Sequence, residues 1–427
     1  MLKLLAWFLA LTLAGVPIAF VLGISATLYL VFAAAVPLRI VPQRLFAGLD
    51  SFVLMSIPFF ILAGFLMNEA QLTSRLISFA NHLVGRWRGG LAQVTVVASM
   101  FFGGISGAAA AEAAALGTIL IPAMEREGYR RDFATAVVVA ASLCGPLIPP
   151  SIPMLVYGIS SGASIGDLFL AGATPGVAVG LAFLALNRFL LRHMPTAAER
   201  EAIAGVSAER FLVSLRGALV ALAMPAIILG GVVLGIVTPT ESSAVAVLYA
   251  LVVGFVMRTL RPRTALQSLA AAALLSATVL LIVGCAAVLG WVLAAEQVPE
   301  AVARFFLSLT DRPSVFLLLV IVLLLVVGLF METSAAIIIL TPVLLPAARG
   351  YGITELHFGV VMVFGLVIGL LTPPVGLCLF IGSSIGKVPV HVLTRALLPY
   401  LGVLVVLYFL FTYVPSAALW LPELLKR

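Results

Sequence analysis

Three carboxylates, Glu112, Glu241 and Glu332, stand inside otherwise apolar sequence. Ionisable residues in such surroundings are candidates for function. Two of them follow small, hydroxylated breaks: Gly104-Ile105-Ser106-Gly107 precedes Glu112, and Gly328 to Met331 precedes Glu332-Thr333-Ser334. Two further breaks carry prolines, Gly145-Pro146 with Pro149-Pro150, and Gly369 and Thr372 with Pro373-Pro374. Such breaks expose backbone N–H groups, carbonyls and hydroxyls. N–H groups at helix starts suit an anion, and carbonyl and hydroxyl oxygens suit a hard cation such as Na+. Glu241 follows Thr238-Pro239-Thr240 and could equally cap a helix. Glu332 could cap the returning arm of its segment or shape a site.

The elements that must hold these residues are membrane helices. The chain has 427 residues, 63% hydrophobic and only 10% charged, whereas soluble proteins carry roughly a quarter charged residues. That excludes an ordinary soluble enzyme. Apolar runs at 4–31, 52–67, 91–124, 133–161, 168–190, 218–237, 240–257, 265–294, 314–348, 356–386 and 396–414 supply about ten spans of the required ~20 residues. The net charge of +7 does not form one basic face, so it points to loop charge bias rather than to nucleic acid. Cys144, Cys285 and Cys378 lie in apolar runs without a CxxC spacing and read as small buried hydrophobes. The run from Leu4 to Val36 exceeds a signal-peptide core and reads as a first span.

Segments 91–124 and 314–348 are too long for one crossing and break in the middle, as re-entrant hairpins do. Segments 133–161 and 356–386 carry the double prolines and read as broken helices. Irregular backbone at membrane depth is tolerated only where it faces protein or a wet cavity. The hairpin-and-break unit occurs twice. A shift of 224 residues lays 104–175 on 328–399 without a gap, with 18 of 72 positions identical. Nine identities are Gly or Pro, where composition alone gives about one.

Counting each hairpin as no crossing puts seventeen of the 24 basic residues on one side, in loops around 3, 75–88, 126–131, 188–216, 258–263 and 387–395. By the positive-inside rule that side is cytoplasmic, with the N-terminus inside and the C-terminus outside. The two units then have opposite orientations, the inverted repeat of secondary transporters. The expected fold is an all-α polytopic membrane protein of inverted repeats, each with a re-entrant helical hairpin and a broken helix. Its expected divisions are 1–90 (scaffold and first interfacial arm), 91–166 (first hairpin and broken helix), 167–313 (scaffold, connecting spans and second arm), 314–386 (second hairpin and broken helix) and 387–427 (C-terminal scaffold helix). Segments 70–88 and 296–312 are amphipathic and read as interfacial arms joining a fixed scaffold to a moving part.

Four irregular points at mid-depth define the expected site. Na+ ligands are expected from Gly104, Ser106, Gly145 and Pro146 in the first half, and from Gly328, Gly369 and Thr372 in the second. Substrate contacts are expected from Ser106, Gly107, Ser151, Thr333, Ser334 and Gly376.

Several motifs resemble a known family. They are Gly104-Ile-Ser-Gly107 with Ala111-Glu-Ala-Ala-Ala-Leu-Gly-Thr-Ile-Leu-Ile-Pro-Ala-Met124, Gly145-Pro-Leu-Ile-Pro-Pro-Ser-Ile-Pro-Met154, Thr238-Pro-Thr-Glu241 and Leu371-Thr-Pro-Pro-Val-Gly376. The chain from about Gly15 to Tyr413 is similar to the large membrane subunit of TRAP (tripartite ATP-independent periplasmic) transporters, in the ion-transporter superfamily. The resemblance implies sodium-coupled import of organic acid anions, such as C4-dicarboxylates, sialic acid or other carboxylates, by an elevator movement in a bacterial inner membrane. It also implies two partners, a small four-helix membrane subunit and a periplasmic substrate-binding protein. At one position the family pattern leads to Asp where Glu112 stands.

Three other readings compete. Gly104-Ile-Ser-Gly107 matches a short serine-nucleophile pattern, but an intramembrane protease needs a base near Ser106. Of His82, His193, His357 and His391, only His357 borders a span, at its outer end. A channel needs pore-lining rings that do not recur here. A carboxylate transporter of the same superfamily, working without a binding protein, is the third.

Overall fold

The structure, a computed structural model, describes residues 2–33, 36–192, 208–373 and 376–425. Pro374, His193, Arg200, Lys426 and Arg427 lie outside the described residues. Among those described there are twenty α-helices and no strand. Eight of the helical spans are long and apolar enough to cross a membrane.

The chain opens with α1 (Leu2–Leu13) and α2 (Ile18–Phe32). The run at 4–31 is therefore two short helices rather than the single span expected. Gly15, at φ +77°, turns the chain and Pro17 precedes the restart. Next come α3 (Ile40–Leu49), a 3-10 turn Phe52–Met55 leading into α4 (Ser56–Glu69), and α5 (Leu72–Val84). The first hairpin is α6 (Gly90–Ser106) and α7 (Ala109–Arg126). Its broken helix is α8 (Arg131–Ala141) with the turn Ser142–Cys144, then α9 (Ile152–Ser161). The connecting helices are α10 (Ile165–Leu190), α11 (Ala208–Val233), α12 (Pro239–Val256), α13 (Pro262–Ala295) and α14 (Val298–Leu309). The second hairpin is α15 (Pro313–Phe330) and α16 (Thr333–Gly350), followed by the broken pair α17 (Glu355–Gly369) and α18 (Leu377–Gly386). The chain ends with α19 (Val390–Tyr413) and α20 (Pro415–Leu425).

The repeat holds at the level of helix ends. The boundaries at Ser106, Ala109, Arg126 and Arg131 fall, 224 residues later, on Phe330, Thr333, Gly350 and Glu355. It also extends further than the sequence identities. By the same shift α2 lies on α12, and α3 and α4 both lie on α13. The first half breaks at Asp50-Ser51, poor helix formers that compete for backbone hydrogen bonds. The second half has Leu274-Leu275 there, both strong helix formers, and runs as one 34-residue helix.

Packing between the halves is reciprocal. Helix α16 packs on α9 as α7 packs on α18, and α17 meets α9 as α8 meets α18. Each returning hairpin arm thus rests on the broken helix of the other half, as inverted repeats require. Side chains fasten the exchange: Arg131 Nε donates to Gly386 O at 2.7 Å, and Tyr157 Oη donates to Glu355 O at 2.7 Å. A buried polar link joins α6, α10 and α19, in which Tyr400 donates to Asn187 Oδ1 and Asn187 Nδ2 donates to Ala92 O at 3.2 Å.

Around this core stands a second group of helices, in which α4 packs on α12, and α13 packs on α2, α3 and α4. Glu241 belongs to it as a cap. Its carboxylate accepts from Thr238 N at 2.7 Å, and Thr238 Oγ1 accepts from Glu241 N at 3.2 Å. The amphipathic α5 packs on α6 and α11, while α14 packs on α16 and leaves Phe305 and Leu309 exposed.

Candidate functional site

Both hairpins turn within two residues. At the first tip Gly107 is left-handed, φ +60°, and a Cβ there would stand 2.6 Å from Pro150 O. Only glycine meets both conditions. At the second tip Met331 is extended and Glu332 caps α16, accepting from Ala335 N at 3.0 Å and from Ser334 Oγ at 3.1 Å. Glu332 is therefore the cap of the returning arm and also lines the cavity described next.

The two tips and the two breaks meet at one cavity of about 70 Å³. Its walls are Gly107 to Ala110 from the first tip, Pro146, Ile152 and Pro153 from the first break, Glu332 to Ser334 from the second tip, and Leu370 and Leu377 from the second break. Four helices, α7, α9, α16 and α18, begin at these walls. Helix starts carry partial positive charge, which favours an anion; at α16 the Glu332 carboxylate already caps that start, and Ser151 and Leu370 O take N–H groups at α9 and α18.

Each tip touches its own break through glycine. A Cβ on Gly328 would stand 3.0 Å from Gly369 Cα, and one on Gly103 would stand 2.8 Å from Gly145 Cα. In the first half the touching residue is thus Gly103, while Gly104 faces Pro149 O and Pro225. The expected substrate and cation residues divide accordingly. Gly107, Pro146, Thr333 and Ser334 share the cavity. Ser106 lines a separate pocket against Gly64, Phe65 and Asn68 of α4 and Leu275 of α13. Ser151 is the N-cap of α9, donating to Pro146 O and accepting from Met154 N at 3.1 Å. Gly376 is the N-cap of α18, packed close to Leu370 O. Thr372 Oγ1 donates to Ile368 O at 2.9 Å, leaving its lone pairs free.

Orphaned polar atoms mark what the protein alone leaves unsatisfied. Ser106 Oγ, Thr333 Oγ1 and both carboxylate oxygens of Glu112 are buried without a hydrogen-bond partner. Glu112 lies in the first turn of α7, fully buried, and a Cβ on Gly145 would collide with its Oε2. A carboxylate fits there because its neighbour at the break has no side chain. Sequence pattern singles out Glu112 as a charge in an apolar run, but not its pairing with a glycine 33 positions away. The Ser99 hydroxyl, otherwise unpartnered, interacts with this carboxyl group, and Glu112, Gly145 and Pro146 are the oxygen-bearing residues at this break that could hold a hard cation.

No base serves Ser106 among the described residues. His357 Nε2 is 3.0 Å from Phe411 O, and His82 Nδ1 is 2.8 Å from Ser78 O.

Residues 5–417 match the sequence model of the tripartite ATP-independent periplasmic transporter, DctM component. The chain belongs to that family. Among DctM-type relatives, the sialic acid TRAP transporter large permease protein of Vibrio cholerae is 40% identical over 423 residues, covering 98% of this chain and 97% of the relative. The C4-dicarboxylate TRAP transporter large permease protein of Pseudomonas aeruginosa is 39% identical, covering 94% and 93%. The isethionate TRAP transporter permease protein of Oleidesulfovibrio alaskensis is 39% identical, covering 97% of this chain and 65% of the relative. In fold, the chain is similar to the YdaH transporter of Alcanivorax borkumensis, with a TM-score of 0.65 over 97% of this chain and 98% of that one, at 18% identity. The DctM-family chain is accordingly a multi-pass membrane permease subunit and not an enzyme.

Proposed function

We propose that this subunit carries organic acid anions across the bacterial inner membrane, coupled to Na+, after a periplasmic binding protein delivers them. The observation that carries the reading is the convergence of four helix starts from both hairpin tips and both breaks on one cavity. Sialic acid, C4-dicarboxylate and isethionate, named for the relatives, share an anionic carboxylate or sulfonate. Thr333, Ser334 and Gly107 contact that group. Na+ binds beside each tip, at Gly145 and Pro146 with the Glu112 charge in the first half, and at Gly328, Gly369 and Thr372 in the second. Ser106, with its orphaned hydroxyl, acts where the first tip faces α4.

The movement is an elevator. The interleaved hairpins and broken helices (91–166 and 314–386) travel against the scaffold of α2, α3, α4, α12 and α13, guided by the arms α5 and α14. A small four-helix membrane subunit braces that scaffold. The N-terminus is cytoplasmic and the C-terminus periplasmic.

The deciding experiment reconstitutes the chain with its small subunit in liposomes, adds the cognate binding protein and labelled organic acids, and imposes a Na+ gradient. Uptake requires both Na+ and the binding protein. Equal uptake with choline in place of Na+ overturns the coupling, and uptake without the binding protein favours the self-sufficient carboxylate transporter.

A further inference from the structure

A large hollow among the described residues lies away from the hairpin tips, where α8 and α19 begin and α10 ends. It holds about 560 Å³ and is lined by Gly128 to Arg130, Asp132, Phe133, Leu190, Leu191 and the first turns of α19 from His391 to Pro399. Its floor is apolar, from Phe133, Leu191, Val392 and Ala396. Its rim is basic. Arg130 is matched by Asp132, with Nε to Oδ1 at 3.1 Å and Nη2 to Oδ2 at 2.5 Å, and Asp132 also accepts from Phe133 N at 2.8 Å. Arg395 is exposed and makes no ion pair among the described residues. One uncompensated guanidinium, with His391 beside it, therefore stands over an apolar floor.

Position and surroundings select the ligand. Helix α10 has 26 residues, about 39 Å at 1.5 Å per residue, enough to cross a bilayer into the headgroup region. Its last residues, at the hollow, thus lie at headgroup depth. From there the outer faces of α10 and α19 are apolar and open, with Leu181, Phe189, Leu398 and Val406 exposed. We propose that the hollow binds an anionic phospholipid, its phosphate on Arg395 and one acyl chain leading from the Val392–Ala396 floor onto α10 and α19. A guanidinium suits phosphate geometry, and a basic pocket between helices at the membrane surface suits an acidic headgroup. A free phosphate would use Arg395 but not the floor.

The test follows the unfolding midpoint and the native mass spectrum of the purified subunit with phosphatidylglycerol, phosphatidylcholine or inorganic phosphate added. Phosphatidylglycerol is retained and raises the midpoint more than phosphatidylcholine, and inorganic phosphate does neither. Arg395→Gln weakens phosphatidylglycerol binding roughly fivefold. Ala396→Trp, which fills the floor and leaves every charge in place, weakens it as well. Equal effects of the two lipids, stabilisation by phosphate alone, or full binding by both variants overturns the proposal. Na+-dependent uptake is a separate readout, so loss of either result leaves the other standing.

Discussion

Glu112→Gln separates a cation site from a packing defect. The carboxyl group is fully buried, the Ser99 hydroxyl is its one interacting donor among the described residues, and Gly145 lies directly against it. A monovalent cation about 4 Å away, in an effective dielectric of about 20, gains about 4 kcal/mol from that charge. Glutamine keeps a carbonyl dipole in place and retains about half, so the loss is roughly 2 kcal/mol, or about thirtyfold in Kd. Without Na+ an uncompensated charge is not kept at a buried site, so the neutral amide should cost about as much as the parent side chain. The variant should unfold close to the parent's temperature in choline chloride, and respond to NaCl only at about thirtyfold higher concentration. The assay is the unfolding midpoint against NaCl at constant ionic strength, with Na+-driven uptake measured in parallel. An unchanged Na+ midpoint in Glu112→Gln would refute the reasoning. Glu112→Asp, which keeps the charge, should stay within a few-fold of the parent.

Three further outcomes follow from the geometry. Ser106→Ala removes a hydroxyl that has no partner, so stability should change by less than about 0.5 kcal/mol while uptake falls; unchanged uptake means the hydroxyl only packs. Gly107→Ala puts a side chain at φ +60° and 2.6 Å from Pro150 O; it should cost about 1–2 kcal/mol in backbone strain alone and abolish most uptake, read by thermal unfolding and transport. Tyr400→Phe strands the buried Asn187 Oδ1 it donates to and should lower stability by about 1–3 kcal/mol in denaturant unfolding, without altering the Na+ midpoint.

Much of the fold is legible in the sequence because the punctuation is strong. Pro149, Pro150 and Pro373 and the glycine-containing tips fall where helices end, and the 224-residue register recurs at helix boundaries. The division of 4–31 is less legible, since Gly15 and Pro17 sit in a run whose hydrophobicity never falters. The site is legible as a region more than as a set of ligands. Residue type shows that Ser151 has a hydroxyl, but not that Pro146 O and Met154 N already occupy it. Periodicity does not place Ser106 towards α4 and Thr333 towards the cavity, because rotation about a hairpin axis depends on the helices packed beside it.

A molecule made of two superimposable, inverted units has a hidden degeneracy. Exchanging the conformations of its halves gives the same molecule upside down, so two end states would be equally populated. The helix ends of this chain obey that symmetry and the side chains break it. Ser106, Ala108 and Glu112 in one unit stand opposite Phe330, Glu332 and Ala336 in the other. One tip has a buried carboxyl group without a hydrogen-bond partner in the first turn of its returning arm, and the other a carboxylate that caps its own backbone. Any difference in energy between the two exchanged arrangements must therefore come from that handful of side chains rather than from the helix framework.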